Sequence, residues 1–494
     1  MKSNILFVIT ICLTFFFLLS CLSQRHEDEQ LARQYCGSCH IFPDPGLLDK
    51  KNWENVLPEM SFRMGIDVSM LSTIAADDQP EVLQVLPGHP MVTTEEWESI
   101  KKYYFNNSPD SLNVASSTIP NRVKQFTIEP YSLPTFPVTT FIKSDTSTNK
   151  IYVGSRFKKL YRLNENLVPE DSIQLSSPPS QILISKNGDL TLLLMGIMDP
   201  NDQPKGEVAK LNVHDHTVMK LIDSLKRPVN FEMVDLDRDG LDDVVACAFG
   251  NYSGALLVYK NLGHGNFEKH VLQNLPGARK VIIRDFDNNG MDDILALMSQ
   301  GDEKIILLLN QGNFNFRMNT ILSFPPVYGS SYFDVADFNN DGKFDILYTN
   351  GDNADYSAIL KPYHGVRIFL NNGKNDFAES WFYNMHGASQ AVARDFDLDG
   401  DLDIAAIAFF PDFKNHAEQG FIYFENKGTN YIPQTTPMGA KGRWITLEAS
   451  DIDRDGDCDL LLGALDFDKG VPKELLEQWK QEEISILVLR NKIR

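Results

Sequence analysis

The sequence predicts a mainly β fold with a small α-helical N-terminal domain, and three observations predict it. Residues 121–494 consist of short β-branched and aromatic runs broken by Gly, Asn and Asp, a pattern typical of strands and turns. An acidic nonapeptide recurs in this part at intervals of 50, 52, 58 and 56 residues. Residues 22–108 instead carry apolar residues at helical spacing. The 494-residue chain therefore contains two domains, joined by an Asn-, Ser- and Pro-rich linker at 109–120.

Residues 1–21 are predicted to form a lipoprotein signal peptide. Met1-Lys2 precedes an apolar run from Ile5 to Leu19, which is too short and too early to be read as a membrane span. The run closes with Ser20-Cys21 and resembles the bacterial lipoprotein box, which implies that Cys21 is lipidated and becomes the mature N-terminus. The alternative is an ordinary signal peptide with a chance cysteine. We expect an exported protein held to a membrane of a bacterial envelope by its lipid, at the outer membrane or facing the periplasm.

The N-terminal domain is predicted to contain several short helices. The predicted helical segments are Leu31–Tyr35, Trp53–Met64 and Thr94–Phe105. Pro58 interrupts the second segment, and Thr93 or Thr94 can cap the third. A domain of this size is hard to stabilise by its own apolar core, because too little of its surface is buried on folding. An additional apolar centre is therefore expected in residues 22–108.

The segment Cys36-Gly37-Ser38-Cys39-His40 predicts what that centre is. Two cysteines at this spacing followed directly by histidine form an attachment site for a c-type haem, with Cys36 and Cys39 as thioether ligands and His40 as axial ligand. The alternatives are a disulfide, half of a zinc site, or chance. No second cysteine pair exists that would complete a zinc site.

This region resembles the cytochrome c-like domain that precedes repeat propellers in bacteria. The resemblance runs through residues 35–45, 53–65 and 90–109. It implies Met60 as the distal axial ligand, with Met91 as the alternative because many small cytochromes c place their ligand just before the final helix. Met64 and Met70 are further candidates. A methionine thioether on the iron would raise the reduction potential relative to two histidines.

The five acidic nonapeptides begin at residues 235, 285, 337, 395 and 451. Oxygens at positions one, three, five and nine, with the carbonyl of position seven, are expected to converge on a hard cation, and glycine at position six allows the sharp turn. Calcium suits this set of ligands. An EF-hand would require a bidentate glutamate at position twelve, which all five loops lack. The predicted calcium ligands are Asp235, Asp237, Asp239, Asp243, Asp285, Asp287, Asn289, Asp293, Asp337, Asn339, Asp341, Asp345, Asp395, Asp397, Asp399, Asp403, Asp451, Asp453, Asp455 and Asp459.

These loops resemble the calcium-binding repeats of integrin-like propellers, known as FG-GAP or VCBS repeats. The resemblance implies a β-propeller in which calcium stabilises each blade and performs no chemistry. It also accounts for the formal charge of −21, since the five loops hold 22 acidic and 3 basic residues. No basic run interleaved with aromatic residues is present, so we expect no nucleic-acid partner.

A seven-bladed propeller is the expected architecture of residues 121–494, with six or eight blades as alternatives. Five blades carry the acidic loop, and residues 135–228 have room for two more without it. The last blade ends at its third strand, Ile484 to Arg490, so the segment from Arg122 to Pro130 is expected to supply its outer strand. Such a closure would leave no free sheet edge at the seam.

The loops between second and third strands are long, and we expect them on the face opposite the acidic loops. They are Ile197–Gly206, Gly351–Gly365, Phe409–Gly420 and Asp466–Glu483. A small-molecule or glycan ligand could bind there, or the loops could cover the haem domain. The chemically capable residues of these loops are Asp352, Asp355, Tyr356, His364, Asp412, His416 and Trp479.

The leading functional hypothesis is electron transfer by the haem to an unidentified redox partner protein, with the propeller as docking platform. One alternative is an oxidoreductase that passes electrons from a sugar or alcohol to its own haem. Another is a ligand-binding or adhesion lipoprotein. The sequence shows no nucleophile elbow, phosphate loop or zinc-helix motif, and we assign no catalytic residue.

Overall fold

The structure, a computed structural model, describes residues 25–115, 118–119, 121–353, 357–428 and 430–493. The chain divides into two compact units. The helical unit contains the residues up to Asn113 together with Pro325–Val327, and the propeller unit contains the rest. The predicted signal peptide and Cys21 lie outside the described residues. Within the described ranges, no helix combines the length and the apolar character that a membrane crossing requires.

The helical unit is built from four α-helices and two short 3-10 helices among its described residues. The α-helices are α1 (25–36), α2 (Lys50–Arg63), α3 (Gln79–Val85) and α4 (Thr94–Asn107), and the 3-10 helices are Pro45–Leu47 and Val68–Thr73. The predicted cap of α4 is present as a capping box, in which the amide of Glu96 donates to Thr93 Oγ1 at 3.2 Å and the amide of Thr93 donates to Glu96 Oε2 at 2.8 Å.

Helix α2 continues through Pro58, where the sequence predicted an interruption. Pro58 is exposed, whereas Trp53, Leu57 and Phe62 on the same helix are buried. The burial of these large side chains outweighs the backbone hydrogen bond that proline removes, because most helical stability in proteins comes from packing of the apolar face.

An aromatic cluster holds the segment after α1 against α4. The rings of Trp53 and Tyr104 are 4.4 Å apart, and Phe42 lies 6.2 Å from Tyr104. Trp53 Nε1 donates to the carbonyl of Pro45 at 2.8 Å, and the Tyr104 hydroxyl donates to the carbonyl of Pro43 at 2.9 Å. The buried polar atoms of both rings are thus satisfied by the chain that follows Cys39 and His40.

The described part of the propeller unit contains seven four-stranded antiparallel sheets, which confirms the predicted seven blades. Blades 1 and 2 consist of β2 (Thr139–Asp145), β3 (Lys150–Ser155), β4 (Lys159–Asn164), β5 (Pro169–Gln174), β6 (Pro179–Ile184), β7 (Leu190–Leu194), β8 (Gly206–Leu211) and β9 (Val218–Leu225). Blades 3 and 4 consist of β10 (Pro228–Val234), β11 (Asp243–Ala248), β12 (Ala255–Asn261), β13 (Phe267–Gln273), β14 (Ala278–Arg284), β15 (Asp293–Met298), β16 (Lys304–Asn310) and β17 (Phe316–Ser323).

The remaining blades complete the ring. Blades 5 and 6 consist of β18 (Ser330–Ala336), β19 (Asp345–Asn350), β20 (Gly365–Asn371), β21 (Phe377–Asn384), β22 (Ala388–Arg394), β23 (Asp403–Ala408), β24 (Phe421–Asn426) and β25 (Tyr431–Gln434). Blade 7 consists of β26 (Trp444–Ser450), β27 (Asp459–Ala464), β28 (Ile486–Asn491) and β1 (Phe126–Tyr131). The connections also contain α5 (Lys473–Glu482) and the 3-10 helices Ala417–Gly420 and Pro437–Ala440.

The first strand of the propeller unit closes the last blade, as predicted. Strand β1 pairs antiparallel with β28, from Phe126 opposite Asn491 to Tyr131 opposite Ile486. The first strands of successive blades also lie side by side in a closed order, and β26 of blade 7 contacts β2 of blade 1. The ring is therefore sealed by a strand from the opposite end of the chain.

Apolar side chains pack between neighbouring blades all the way round the described ring. A buried cluster occupies each of the seven blade interfaces, including that between blades 7 and 1. Amide side chains on the first strands join the blades as well. Gln181 exchanges two hydrogen bonds with the backbone of Phe231, and Gln390 does the same with Leu447.

A buried carboxylate connects blade 2 to blade 3. Asp202 is fully buried and accepts hydrogen bonds from the backbone amides of Asn251, Tyr252 and Ser253 at 2.9 to 3.0 Å. Asp202→Ala should lower the free energy of unfolding by about 3 kcal/mol, because three donors lose a charged acceptor. Chemical denaturation measures the change. Asp199→Ala in the same loop is the control, since its side chain is 67% exposed and its loss should have little effect.

A second buried carboxylate predicts a pH dependence. Burial raises the pKa of Glu303 to about 7, although the amides of Gly329 and Ser330 donate to its carboxylate at 3.0 and 2.7 Å. The folded protein therefore retains this proton at a pH where the unfolded chain has lost it. The contribution of Glu303 to the free energy of unfolding should fall by about 3 kcal/mol as pH rises from about 4.5 to about 7. Unfolding free energies of wild type and Glu303→Gln across this range test the sign, and an equal slope in both proteins would contradict it.

Candidate functional site

Cys36 and Cys39 are free thiols at the end of α1, and the disulfide alternative is therefore not realised in the structure. Cys36 is half-buried beside Tyr104, and burial raises the pKa of its thiol to about 11. Cys39 is exposed. The Cys39 sulfur thus lies at the surface of the helical unit, whereas the Cys36 sulfur is partly covered by its neighbours.

His40 follows the two cysteines and is half-buried. Its Nδ1 lies 2.9 Å from the backbone carbonyl of Ile41, and a carbonyl can only accept, so the proton of the neutral ring is on Nδ1. The lone pair is then on Nε2. Metal-ligating histidines commonly donate their other ring nitrogen to a carbonyl in this way, which fixes the tautomer.

Gly37 is a residue whose role sequence reasoning missed. Its amide donates to the carbonyl of Arg33 at 3.2 Å, and a Cβ at this position would lie 2.6 Å from the same oxygen. Any side chain here would move the turn that separates Cys36 from Cys39. The only signal in the sequence is the glycine itself, in the first variable position of the motif.

The candidate distal ligands differ in exposure. Met60 is half-buried on the last turn of α2, Met64 is buried, and Met91 is 41% exposed just before α4. Met91 borders a concavity with Ile66, and its amide donates to the carbonyl of Met64 at 3.0 Å. Both Met60 and Met91 therefore remain candidates.

The acidic loops join the first strand to the second strand in blades 3 to 7, and all lie at the same end of their sheets. Position one closes each turn. Asp235, for example, accepts from the amides of Asp239 and Gly240 at 3.1 and 2.9 Å, and Asp285 accepts from the amides of Asn289 and Gly290 at 3.1 and 2.7 Å. The loops are therefore shaped by their own carboxylates.

Position nine anchors the end of the third strand. Asp293 is fully buried and accepts from the amide of Phe286 at 2.8 Å and from the amide of Asn310 at 2.7 Å. The other position-nine aspartates are buried and each accepts from the matching asparagine amide, namely Asn261, Asn371, Asn426 and Asn491. These residues thus have a structural role in addition to the predicted metal ligation.

Carboxylate oxygens converge in four of the five loops. The sets with ligand atoms within 4.8 Å of one another among the described residues are Asp235, Asp237 and Asp239; Asp285, Asp287 and Asp293; Asp395, Asp397 and Asp399; and Asp451, Asp453 and Asp459. The remaining loop, which begins at Asp337, has Asn339 at position three. The side-chain amide of Asn339 donates to Asp341 Oδ2 at 3.2 Å. The structure therefore brings the predicted ligands together, in sets that differ from loop to loop.

Two of these oxygens are buried without a hydrogen-bond donor among the described residues. They are Asp237 Oδ1 and Asp451 Oδ1, and the side chain of Asp237 is only 10% exposed. Burial raises the pKa of Asp403 to about 7 and that of Asp459 to about 6. Orphaned carboxylate oxygens in convergent sets suit a hard divalent cation such as calcium.

The residue at position four of each loop has a left-handed backbone conformation, which the sequence analysis did not predict. Arg238, Asn288, Asn340, Leu398 and Arg454 have φ between 56° and 64°. Asparagine tolerates this conformation, so Asn288 and Asn340 were the two residues from which the sequence could have predicted it. Arg238, Leu398 and Arg454 adopt it against their preference, which shows that the turn is imposed by the loop as a whole.

The long loops join second to third strands and therefore lie at the opposite end of the sheets from the acidic loops, as expected. Their chemically capable residues are largely used internally. Asp412 is buried and accepts from Asn415, and Trp479 is buried and donates to the carbonyl of Ala440 at 2.8 Å. His364 is fully buried, Asp352 and His416 are half-buried, and Asp355 and Tyr356 lie outside the described residues. Ligand binding on this face stays a prediction.

Comparison with known proteins identifies the repeats. Residues 235–296 and 285–348 match the FG-GAP-like repeat family. No curated protein matches the chain. Similar solved structures are the N-terminal domain of Nup159 (9% identity, 76% of this chain, 99% of that chain, TM-score 0.43), the Neurospora crassa Pan2 WD40 domain (12%, 76%, 99%, 0.47) and the β-propeller domain of Myceliophteria thermophila Cps50 (Swd1) (11%, 68%, 96%, 0.43).

Proposed function

We propose that this chain is an exported c-type haem protein that transfers electrons, with a calcium-stabilised β-propeller as the docking platform for a redox partner protein. The observation that carries the proposal is the segment Cys36 to His40, in which both thiols are free and the hydrogen bond to Ile41 places the lone pair of His40 on Nε2. Lipidation of Cys21 would hold the protein at a membrane of the envelope.

In this proposal each residue of the motif has a separate task. Cys36 and Cys39 would form the thioether tethers, and His40 Nε2 would ligate the iron. The bound haem would supply a one-electron redox centre. The carbonyl of Ile41 orients the imidazole and keeps its proton on Nδ1. The helical unit also has exposed apolar side chains that a bound porphyrin could cover, namely Ile41, Val68, Leu83, Val85 and Met91.

The propeller would contribute rigidity and a surface. Calcium in the acidic loops would neutralise the converging carboxylates, and the cross-blade hydrogen bonds described above then hold adjacent blades in register. A rigid ring presents its loops in fixed positions, which is what a docking platform for a partner protein requires. No catalytic residue is assigned to the propeller unit.

The test is expression in a host with a working cytochrome c maturation system. We expect the intact mass to increase by one haem, and the reduced protein to show the sharp absorption bands of a c-type cytochrome. Oxidation and reduction by an external partner, measured in a stopped-flow spectrometer, should be reversible. A protein of unmodified mass and without colour under these conditions would overturn the electron-transfer proposal.

The distal ligand can be identified by its effect on the potential. If Met60 ligates the iron, Met60→Ala should lower the reduction potential and remove the charge-transfer band of a methionine–iron bond, because the thioether stabilises the reduced iron. Met91→Ala should then leave both unchanged and serves as the matched control. The reverse result would assign Met91. Spectroelectrochemical titration of the two variants measures the difference.

A further inference from the structure

We infer that Lys260 is a tethered cation that competes with calcium for the acidic loop of blade 3, so that this loop binds calcium more weakly than the loop of blade 6. The inference rests on the proposed calcium binding and goes beyond it, because it distinguishes sites that the sequence pattern makes equivalent. It assigns the difference to a residue outside the nonapeptide, on the third strand of the blade.

The contacts of Lys260 place its ammonium group among the predicted calcium ligands. Its Nζ donates to Asp237 Oδ2 and lies 3.7 Å from Asp239 Oδ2. Both aspartates belong to the convergent set of this loop, at positions three and five. The Nζ is also 5.1 Å from the centre of the Phe314 ring, which helps to keep the side chain over the loop. A unit positive charge at this place partly neutralises the carboxylates that calcium would use.

The equivalent strand position differs between the blades. This position directly precedes the asparagine that recurs at the end of each third strand. In blades 3 to 7 it is occupied by Lys260, Leu309, Leu370, Glu425 and Arg490. Leucine supplies no charge in blades 4 and 5. In blade 6 the position carries an additional carboxylate, Glu425. The chain therefore varies the charge beside an otherwise repeated loop.

Blade 6 presents the opposite situation to blade 3. Its nonapeptide holds five aspartates and no basic residue. The nearest lysine, Lys427, lies 3.9 Å from Asp397 but contacts Glu425 at the shorter distance of 2.5 Å. This loop should bind calcium first.

Arg490 in blade 7 is a related but more constrained cation. Its Nη1 lies 3.2 Å from Asp453 Oδ2, but its Nε is 3.6 Å from Glu129 and its Nη2 donates to the carbonyl of Glu165 at 3.2 Å. Because Arg490 also binds the closing strand β1, its replacement would disturb the seam of the ring. Lys260 is therefore the better residue for a test.

The test replaces Lys260 by leucine, the residue found at this position in blades 4 and 5. Chelator-treated wild type and Lys260→Leu are titrated with calcium in a calorimeter. One site should bind roughly 10- to 100-fold more tightly in the variant, as expected for removing a unit charge a few ångströms from the ligands and allowing for solvent screening. Without calcium, thermal unfolding of the variant should occur at a lower temperature, because Asp237 and Asp239 lose their counter-charge.

Two further variants make the result specific. Lys269→Leu removes an exposed lysine from the neighbouring strand β13 and should change neither measurement. Adding Asp237→Asn to Lys260→Leu should abolish the gained affinity, which assigns it to the blade 3 loop. Unchanged affinities in Lys260→Leu, with one site lost in Asp397→Asn, would overturn this inference and leave the calcium proposal intact. Absence of calcium binding in every variant would overturn both.

Discussion

Replacing Cys36 and Cys39 together by alanine is expected to abolish covalent haem attachment completely. Each thioether requires one thiol, and the part of the helical unit that the structure describes contains no other cysteine. Intact-mass measurement and haem staining after denaturing electrophoresis measure the loss, because only covalently held haem survives denaturation. The propeller should remain folded in this variant, since Cys36 and Cys39 belong to the separate helical unit.

Two variants separate the tethers from the axial ligand. Cys458→Ala is the control, because it removes a half-buried thiol of the propeller unit and should leave the haem content unchanged. His40→Ala should change the absorption spectrum of any haem that is attached, because the thiols remain while the iron loses its proximal nitrogen. Full haem content in Cys36→Ala/Cys39→Ala would contradict the proposed tethers.

The architecture of the propeller was predictable because repetition makes each signal visible several times. The spacing of the acidic nonapeptides predicts the length of a blade. The last blade has only three strands of its own, which predicts that residues 122–130 supply the fourth. The structure shows this closure as the pairing of Phe126–Tyr131 with Ile486–Asn491. The two blades without acidic loops were inferred from length alone, and the sheets of β2–β5 and β6–β9 confirm them.

The roles within the site were less predictable, because they depend on contacts between distant segments. Position nine was expected only to bind metal, whereas Asp293 also anchors Asn310 on the third strand. Lys260 lies 17 residues beyond the nonapeptide and carries no motif of its own. Asp412 and Trp479 stand out in the long loops for their chemistry, and the sequence could not show that both are buried. Side-chain chemistry was readable from the sequence, but the partners of each side chain were not.

Calcium removal is expected to have the second large effect. Chelation should lower the unfolding temperature of the propeller substantially, since each loop occupied at 100 times its Kd contributes about 2.7 kcal/mol to the folded state. The physical reason is the repulsion between converging carboxylates, such as Asp285, Asp287 and Asp293, whose ligand atoms lie within 4.8 Å of one another. Calorimetric scans with calcium and with excess chelator measure the difference, and re-addition of calcium should restore the original transition.

A single substitution is expected to change the stability differently with and without calcium. Asp397→Asn in the blade 6 loop removes one charge from a set in which burial and the neighbouring Asp399 already raise the pKa of Asp397. With calcium present, the variant should be less stable than wild type by about 2 to 3 kcal/mol, because one site is weakened. With chelator, it should be equally stable or more stable, because the remaining carboxylates repel one another less.

This dependence of the stability change on calcium distinguishes a metal-binding carboxylate from one with only a structural role. If Asp397 served only as a hydrogen-bond acceptor, its replacement would destabilise the protein by the same amount in both conditions. Asp223→Asn is the matched control, because this aspartate lies on the outer strand of a blade without an acidic loop and its side chain is 61% exposed. It should shift stability little in either condition. An equal loss for Asp397→Asn with calcium and with chelator would show that the blade 6 loop holds no cation, because only a bound ion makes the effect of this charge depend on calcium.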